Sequence, residues 1–226
     1  MYKEVLVIVE YIIETIKALK KDKPLIIVFD GVDTSGKTTL ANSVFESMQE
    51  QKLFNPLRIQ IDKFHNSRNV RIQKGDLSPE GFFYDSFDHK AIFQNIINPI
   101  KISYGKLISQ KYDYRIEEEI KPIEVSITNN TIILFDGIFM NRDEFYQKWD
   151  LSIFLDVSFD TVLKRALKRD IDLFGDKDTI KKRYLIKYIP GQKIYLEKCK
   201  PLERADIVID NNDYLNPKLL KKWTQE

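Results

Sequence analysis

Residues 29–41 read FDGVDTSGKTTLA, and the way this stretch sits between its neighbours decides the fold. Gly31, Gly36, Lys37 and Thr38 have the spacing G-x-x-x-x-G-K-[ST], which carries chemical meaning only when a strand precedes it and a helix follows. Both are expected here. Pro24 to Asp30 is a short apolar run, and Lys37 to Gln51 has helical patterning. Glycines let the backbone curl until successive N–H groups face one anionic pocket, and the helix beginning near Lys37 adds the positive end of its dipole. The loop formed by Gly31, Asp33, Thr34, Ser35, Gly36 and Thr39 is therefore expected to cradle the phosphates of a nucleotide. Lys37 would reach the β- and γ-phosphates, and the Thr38 hydroxyl would ligate magnesium.

Working outward, similar short apolar runs recur at Leu57 to Ile61, Thr131 to Asp136, Leu151 to Asp156 and Asp206 to Asp210. Each is too short for a good helix and too continuously apolar for a one-sided antiparallel strand, so a parallel sheet covered on both faces fits. Helical patterns cover Phe159 to Asp170 and Asp178 to Lys198, with Pro190 and Gly191 expected to break or bend the latter. The resulting expectation is an α/β fold: a three-layer sandwich around a parallel five-stranded sheet. Residues 62–130 depart from the rhythm and are read as an inserted substrate-binding segment. Residues 165–195 are read as an arginine-bearing helix followed by a lid.

Composition narrows the partners. The chain has 226 residues with 43% hydrophobic side chains, enough for one substantial core, and one domain spanning 1–226 is expected. With 36 basic and 34 acidic residues the net charge is +2, and no long basic block suggests a nucleic-acid partner. The single Cys199 allows no internal disulfide, which points to a reducing, cytoplasmic setting. Residues 1–22 contain Val5, Ile8, Val9, Ile12, Ile13, Ile16 and Leu19 at helical spacing, interrupted by charges. An amphipathic helix is expected there, covering the core or a second subunit of a homo-oligomer and not entering a membrane.

A phosphate cradle can serve a switch, a motor or a kinase. No N-K-x-D-like guanine reader is present, but IQIDKFHNSRNVR occupies residues 59–71, directly after the second strand. Carboxyl ends of neighbouring parallel strands share one crevice, so Asp62 should emerge beside the phosphate loop. There a carboxylate can take a proton from an attacking hydroxyl and help hold magnesium. Arg68 and Arg71, three residues apart, could pair with a phosphate or with acidic residues of the insertion. His65 could touch substrate or be a loop histidine; Phe82, Phe83, Tyr84 and Phe87 could stack a ring or pack the insertion onto the sheet.

Together, the phosphate loop, the D-x-F-H of Asp62 to His65, SPEGFFYDSFD at 78–88, DYR at 113–115, LFDGIF at 134–139, RALKRD at 165–170, YIPGQKIY at 188–195 and ERADIVIDN at 203–211 resemble the uridine kinase and phosphoribulokinase family of P-loop kinases, in its bacterial uridine-kinase-like branch. The resemblance runs from about Leu25 to Asn212. It implies ATP and Mg2+ as cofactors, Lys37, Asp62 and Arg169 as catalytic residues, and Asp62 as general base toward a sugar 5′-hydroxyl. It implies Arg165 beside the nucleotide, and Asp136 with Thr38 and Asp62 around the metal, although the family position matching Asp136 is usually Glu. On the acceptor side it points to Phe64, His65, Arg68, Arg71, Asp85, Tyr112, Arg115 and Gln192.

Three departures bear on the acceptor. Uridine- and cytidine-specific members carry a base-contacting histidine a few residues beyond the position of Tyr112, whereas this chain reads YDYRIEEE there and has no histidine after His89. An acidic ribose contact falls near Phe82, with Asp85 and Asp88 close by. The arginine-rich lid is replaced by LFGDKD at 173–178. The expected activity is ATP-dependent phosphorylation of a small-molecule alcohol, with a nucleoside such as uridine leading. Another sugar-like or cofactor-precursor alcohol, or a non-catalytic ATP-binding regulator, stands as the alternative.

Overall fold

A computed structural model describes residues 2–102 and 105–224. Met1 of the expected N-terminal helix, residues 103–104 of the expected insertion and residues 225–226 lie outside the described residues. The central sheet contains β1 (Leu25–Gly31), β2 (Asn55–Gln60), β3 (Thr131–Asp136), β4 (Leu151–Asp156), β5 (Ile207–Asp210) and β6 (Lys218–Lys221), in the order β6-β5-β4-β1-β3-β2. Five strands are parallel, as expected, and β6 adds an antiparallel sixth at the edge. Its sequence, KLLK, is short and ends in lysines. That composition suits an exposed edge, and it carries little of the continuous apolar signal of a buried strand.

Alternation along β1 divides the core. Ile26 and Val28 point to one face, where they meet Ile133, Phe135 and Phe154 and the inserted segment's Phe64, Phe82, Phe83 and Phe87. Leu25, Ile27 and Phe29 point to the other, under helices α1 (Lys3–Leu19) and α2 (Lys37–Glu50). Helix α1 buries Ile8, Val9, Ile12, Ile13 and Ile16 in that second layer, each burial worth about 1.5–3 kcal/mol. Its apolar stripe therefore covers this chain's own core. No helix is long and apolar enough to cross a membrane among the described residues.

Within the insertion, helix α3 (Pro79–Asp85) begins at Ser78, whose hydroxyl accepts from the Gly81 N–H at 3.0 Å, while Pro79 occupies a first-turn position where its missing N–H costs nothing. After β4, Ser158 caps α4 (Phe159–Arg169). Helix α5 (Lys177–Arg183) then runs through a π-helical turn at Tyr184–Tyr188 into α6 (Ile189–Cys199). Pro190 and Gly191 thus do not end the helix. The wider turn, closed by Ile189 N–H to Tyr184 O, precedes the proline, which lacks a donor. Gly191 serves packing instead: a Cβ there would lie 2.8 Å from both the Phe82 ring and Pro79 O, so only glycine lets α6 cross α3 this closely.

Candidate active site

In the strand order, β1 lies between β3 and β4, and the crevice at its carboxyl end is where an open α/β sheet takes a ligand. A cleft of about 1250 Å³ opens there. Its floor is the phosphate loop. Gly36 has φ +96°, and a Cβ on it would come within 2.6 Å of Asn211 Nδ2; a Cβ on Gly31 would meet Leu155 O at 2.6 Å and Ser35 Oγ at 2.7 Å. Both positions thus demand glycine. The loop is braced from several sides. Asn211 Nδ2 donates to Ser35 O at 2.6 Å, Arg165 donates to Thr34 O at 3.1 Å, and the Asp33 N–H donates to Gln192 Oε1 at 2.6 Å. Beneath it, the fully buried Asp30 accepts from the Gly31 N–H at 2.7 Å, from Asn141 and from the Tyr195 hydroxyl. Burial raises the Asp30 pKa.

Lys37 is buried, and its ammonium donates to Val32 O at 2.7 Å and weakly to Ser35 Oγ at 3.4 Å. Burial lowers its pKa, while Asp33, Asp30 and Asp136 pull the other way. At the start of α2, Thr38 Oγ1 donates to Asp136 Oδ2 at 2.5 Å, and Asp136 ends β3 with 4% exposure. Arg58 holds the other carboxylate oxygen at 2.5 Å and also donates to Leu134 O at 2.6 Å and Asn42 Oδ1 at 3.0 Å. Asp62 emerges on the 3₁₀ turn Ile61–Phe64 after β2 and lines the same cleft.

Across the cleft, Arg169 donates to Asp170 through Nε at 2.6 Å and Nη2 at 3.2 Å, and Nη2 lies 3.2 Å from the Tyr184 hydroxyl. Tyr184 in turn donates to Asp170 Oδ2 at 2.7 Å. Burial works against the charged Arg169, but the bond to Asp170 and the nearby Asp33 hold its pKa above the usual guanidinium range. The π-helical turn that carries Tyr184 is thereby tied to the end of the arginine helix.

Of the residues expected at a nucleotide and metal, Asp33, Thr34, Gly36, Lys37, Thr38 and Thr39 line the cleft, as do Arg165, Arg169 and Asp62. His65 and Arg115 line its other end. His65 sits between Phe87 and Tyr114, at 4.5 and 4.7 Å between ring centroids, with its pKa lowered by burial. The other acceptor candidates are not among the lining residues. Phe64 is fully buried against Phe135 in the core. Arg71 pairs with Glu117, Asp85 with Lys74, and the Tyr112 hydroxyl donates to Glu117 Oε2 at 2.9 Å. Thus Arg71 takes an acidic partner within the insertion, and Arg68 is exposed one turn before it on its short helix. Gln192 is buried as a brace on Asp33, and Ser35 and Gly31 lie beneath the loop surface. Sequence reading missed Arg58, Asp170 and Tyr184. For Asp170, the signal was its position directly after Arg169.

The donor set suits magnesium: a threonine hydroxyl, two carboxylates and the oxygens of a bound triphosphate are hard ligands, and this ion is usually held by one or two carboxylates plus phosphates. Among the described residues no group of three His, Cys, Asp or Glu side chains is arranged to hold a metal by itself. The phosphate loop on a mostly parallel sheet, facing a carboxylate and an arginine, defines a nucleotide-binding P-loop fold of the kinase kind.

Residues 26–214 match the model of the phosphoribulokinase / uridine kinase family, and the chain belongs to that family. It is 25% identical over 198 residues to a uridine kinase of Brevibacillus brevis, covering 84% of this chain and 86% of that protein. A solved structure of a possible uridine kinase from Bacillus stearothermophilus superposes with a TM-score of 0.71 at 23% identity, covering 88% of this chain and 96% of the other. The fold of D-glycerate 3-kinase from Cryptococcus neoformans is also similar, with a TM-score of 0.64, 10% identity, and 96% and 99% coverage.

Proposed function

We propose that the chain transfers the γ-phosphoryl group of ATP to the hydroxyl of a small molecule, with a nucleoside such as uridine the leading acceptor. The observation that carries this reading is the convergence of Lys37, Thr38, Asp62 and Arg169 on one cleft, with Asp136 bonded to Thr38 behind them. Bound magnesium would neutralise charge on the phosphate oxygens. Lys37 binds the β- and γ-phosphates, Asp62 accepts the proton of the attacking hydroxyl, and Arg169 stabilises charge spreading over the transferred oxygens. Asp136 orients Thr38 and, with Thr38 and Asp62, would hold the magnesium ion.

Beside Asp62 the cleft is lined by Lys63, His65, Asp113 and Arg115, with Lys63 4.0 Å from Asp113. A neutral polyol or nucleoside would find hydroxyl acceptors in the carboxylates and ring faces in Tyr114, Phe87 and Tyr188. With no histidine after His89, the site is expected to read the sugar more firmly than the base, since a ring that is only stacked is weakly discriminated. ADP release at fixed Mg-ATP should therefore rise on adding an alcohol, with kcat/KM for uridine, cytidine, adenosine and guanosine within about a hundredfold of one another. No stimulation by any nucleoside, sugar or vitamin alcohol would leave a non-catalytic ATP binder. Exclusive turnover of uridine and cytidine would show that the base is read by another residue.

The Asp170–Tyr184 clamp gives a further expected result. Asp170→Asn should lower kcat by about ten- to a hundredfold, because a guanidinium released from its partner is displaced from the transferring group. ATP affinity should change less. Equal kcat in the variant and the wild type would reduce the clamp to a fold contact.

A further inference from the structure

Helix α1 precedes the residues shared with the family, yet its first two turns reach the cleft. Tyr2, Val5 and Ile8 line it together with Thr39, Leu40 and Ser43 of α2. The juxtaposition follows from packing: Ile8 is 4% exposed and belongs to the same core layer as Leu40, Leu155 and Ile209. The chain's other end closes on the same region. Pro217, just before β6, lines the cleft, and Tyr214 lies under the Arg165 guanidinium at 5.7 Å from its ring centroid. The Tyr11 hydroxyl accepts from the Trp223 N–H at 3.0 Å, fastening α1 to the segment after β6.

This end of the cleft differs chemically from the acceptor end. Its lining is apolar and aromatic side chains, threonine, serine, Asn211 and the Arg165 guanidinium, while the lining carboxylates Asp33, Asp62, Asp113, Asp170 and Asp172 belong to the loop, the insertion and the segment from the end of α4 onward. It is also continuous with the phosphate loop along α2: Ser43 is one helical turn beyond Thr39, about 6 Å farther along the axis. A carboxylate-free wall of Tyr2, Val5, Ile8 and Leu40, continuous with the phosphate loop through Thr39, fits the flat ring system of the nucleotide that supplies the phosphate.

We propose that the N-terminal end of α1, through the preceding Tyr2 and through Val5, forms a wall against the purine ring of the donor nucleotide and so helps set nucleotide affinity. The inference rests on the reading of the chain as an ATP-dependent kinase. Inorganic tripolyphosphate, which has the phosphates without the ring, separates the wall's contribution from that of the loop. Dissociation constants for Mg-ATP and Mg-tripolyphosphate are measured by calorimetry on the full chain, with wild type, the Tyr2→Ala/Val5→Ala double variant and Tyr2→Ala alone. Val7→Ala serves as a control on the solvent side of the helix, where Val7 is 56% exposed.

The double variant is expected to bind Mg-ATP about tenfold more weakly while tripolyphosphate affinity stays within about twofold, a loss of the size that removing apolar contact with a ring produces. Tyr2 is 60% exposed, so Tyr2→Ala keeps the fold and should show a smaller loss in the same direction even if the double variant unfolds. Unchanged ATP affinity in the variants, or an equal loss for both ligands, would overturn the wall. A wild-type protein that fails to bind Mg-ATP would instead overturn the kinase reading, and the wall with it.

Discussion

Replacing Lys37 with Ala is expected to lower the phosphoryl-transfer rate by about 10³-fold or more, the largest loss any single change in this site should cause. The reason lies in where its charge sits. Lys37 is buried at the floor of the cleft, and its ammonium now rests on the loop's own carbonyl, Val32 O, and on Ser35 Oγ. Those bonds hold a donor beside the place where phosphate oxygens would lie. Arg165 is committed to Thr34 O, Asn211 O and Asn212 O, and Arg169 is held by Asp170 on the far side. Neither can occupy the floor of the loop. Lys37→Arg should not restore the rate, because a planar fork replaces a compact point charge in a buried space shaped for the latter. Single-turnover rates with saturating Mg-ATP measure the effect, and a Lys37→Ala protein retaining more than a tenth of wild-type activity would overturn the phosphate-loop assignment.

How far the site could be read without coordinates depended on the range of each interaction. The phosphate loop is a local device: strand, glycines, lysine and helix are contiguous, so spacing alone placed Gly31, Gly36, Lys37 and Thr38. Asp62 followed from the rule that parallel strands share one crevice, which needs only a strand end. Contacts made across the fold left no comparable trace. Arg58 looks like a polar interruption of β2, and its role at Asp136 appears only in the pairing of β2 with β3, where it stands opposite Leu134. Gln192 reaches back 159 residues to brace Asp33. Phe64 sits in a motif shared with kinases, but the 3₁₀ turn that exposes Asp62 turns Phe64 into the core. The π-helical turn that brings Tyr184 to Asp170 follows no side-chain periodicity that a helical pattern would reveal.

Asp62→Asn is the second large expected effect, and it distinguishes two jobs that one carboxylate can do. The substitution keeps the shape of the side chain on the 3₁₀ turn while removing a proton acceptor and a negative charge. If Asp62 is the base toward the acceptor hydroxyl, kcat falls by about 10²- to 10⁴-fold and ATP affinity changes far less, since the nucleotide is gripped by the loop from Gly31 to Thr39. Raising magnesium should then leave the rate where it is. If Asp62 chiefly helps Thr38 and Asp136 hold the cation, the same variant should recover most of its rate as magnesium is raised, because mass action can replace a lost ligand but not a lost base. Asp136→Asn provides the contrast: its carboxylate is bonded to Thr38 Oγ1 and Arg58 and is not among the residues lining the cleft. It should therefore respond to magnesium where Asp62→Asn does not. Measuring kcat and the Mg-ATP dissociation constant for both variants across a magnesium series settles the division of labour, and an Asp62→Asn protein with wild-type kcat would overturn the assignment of Asp62 as the base.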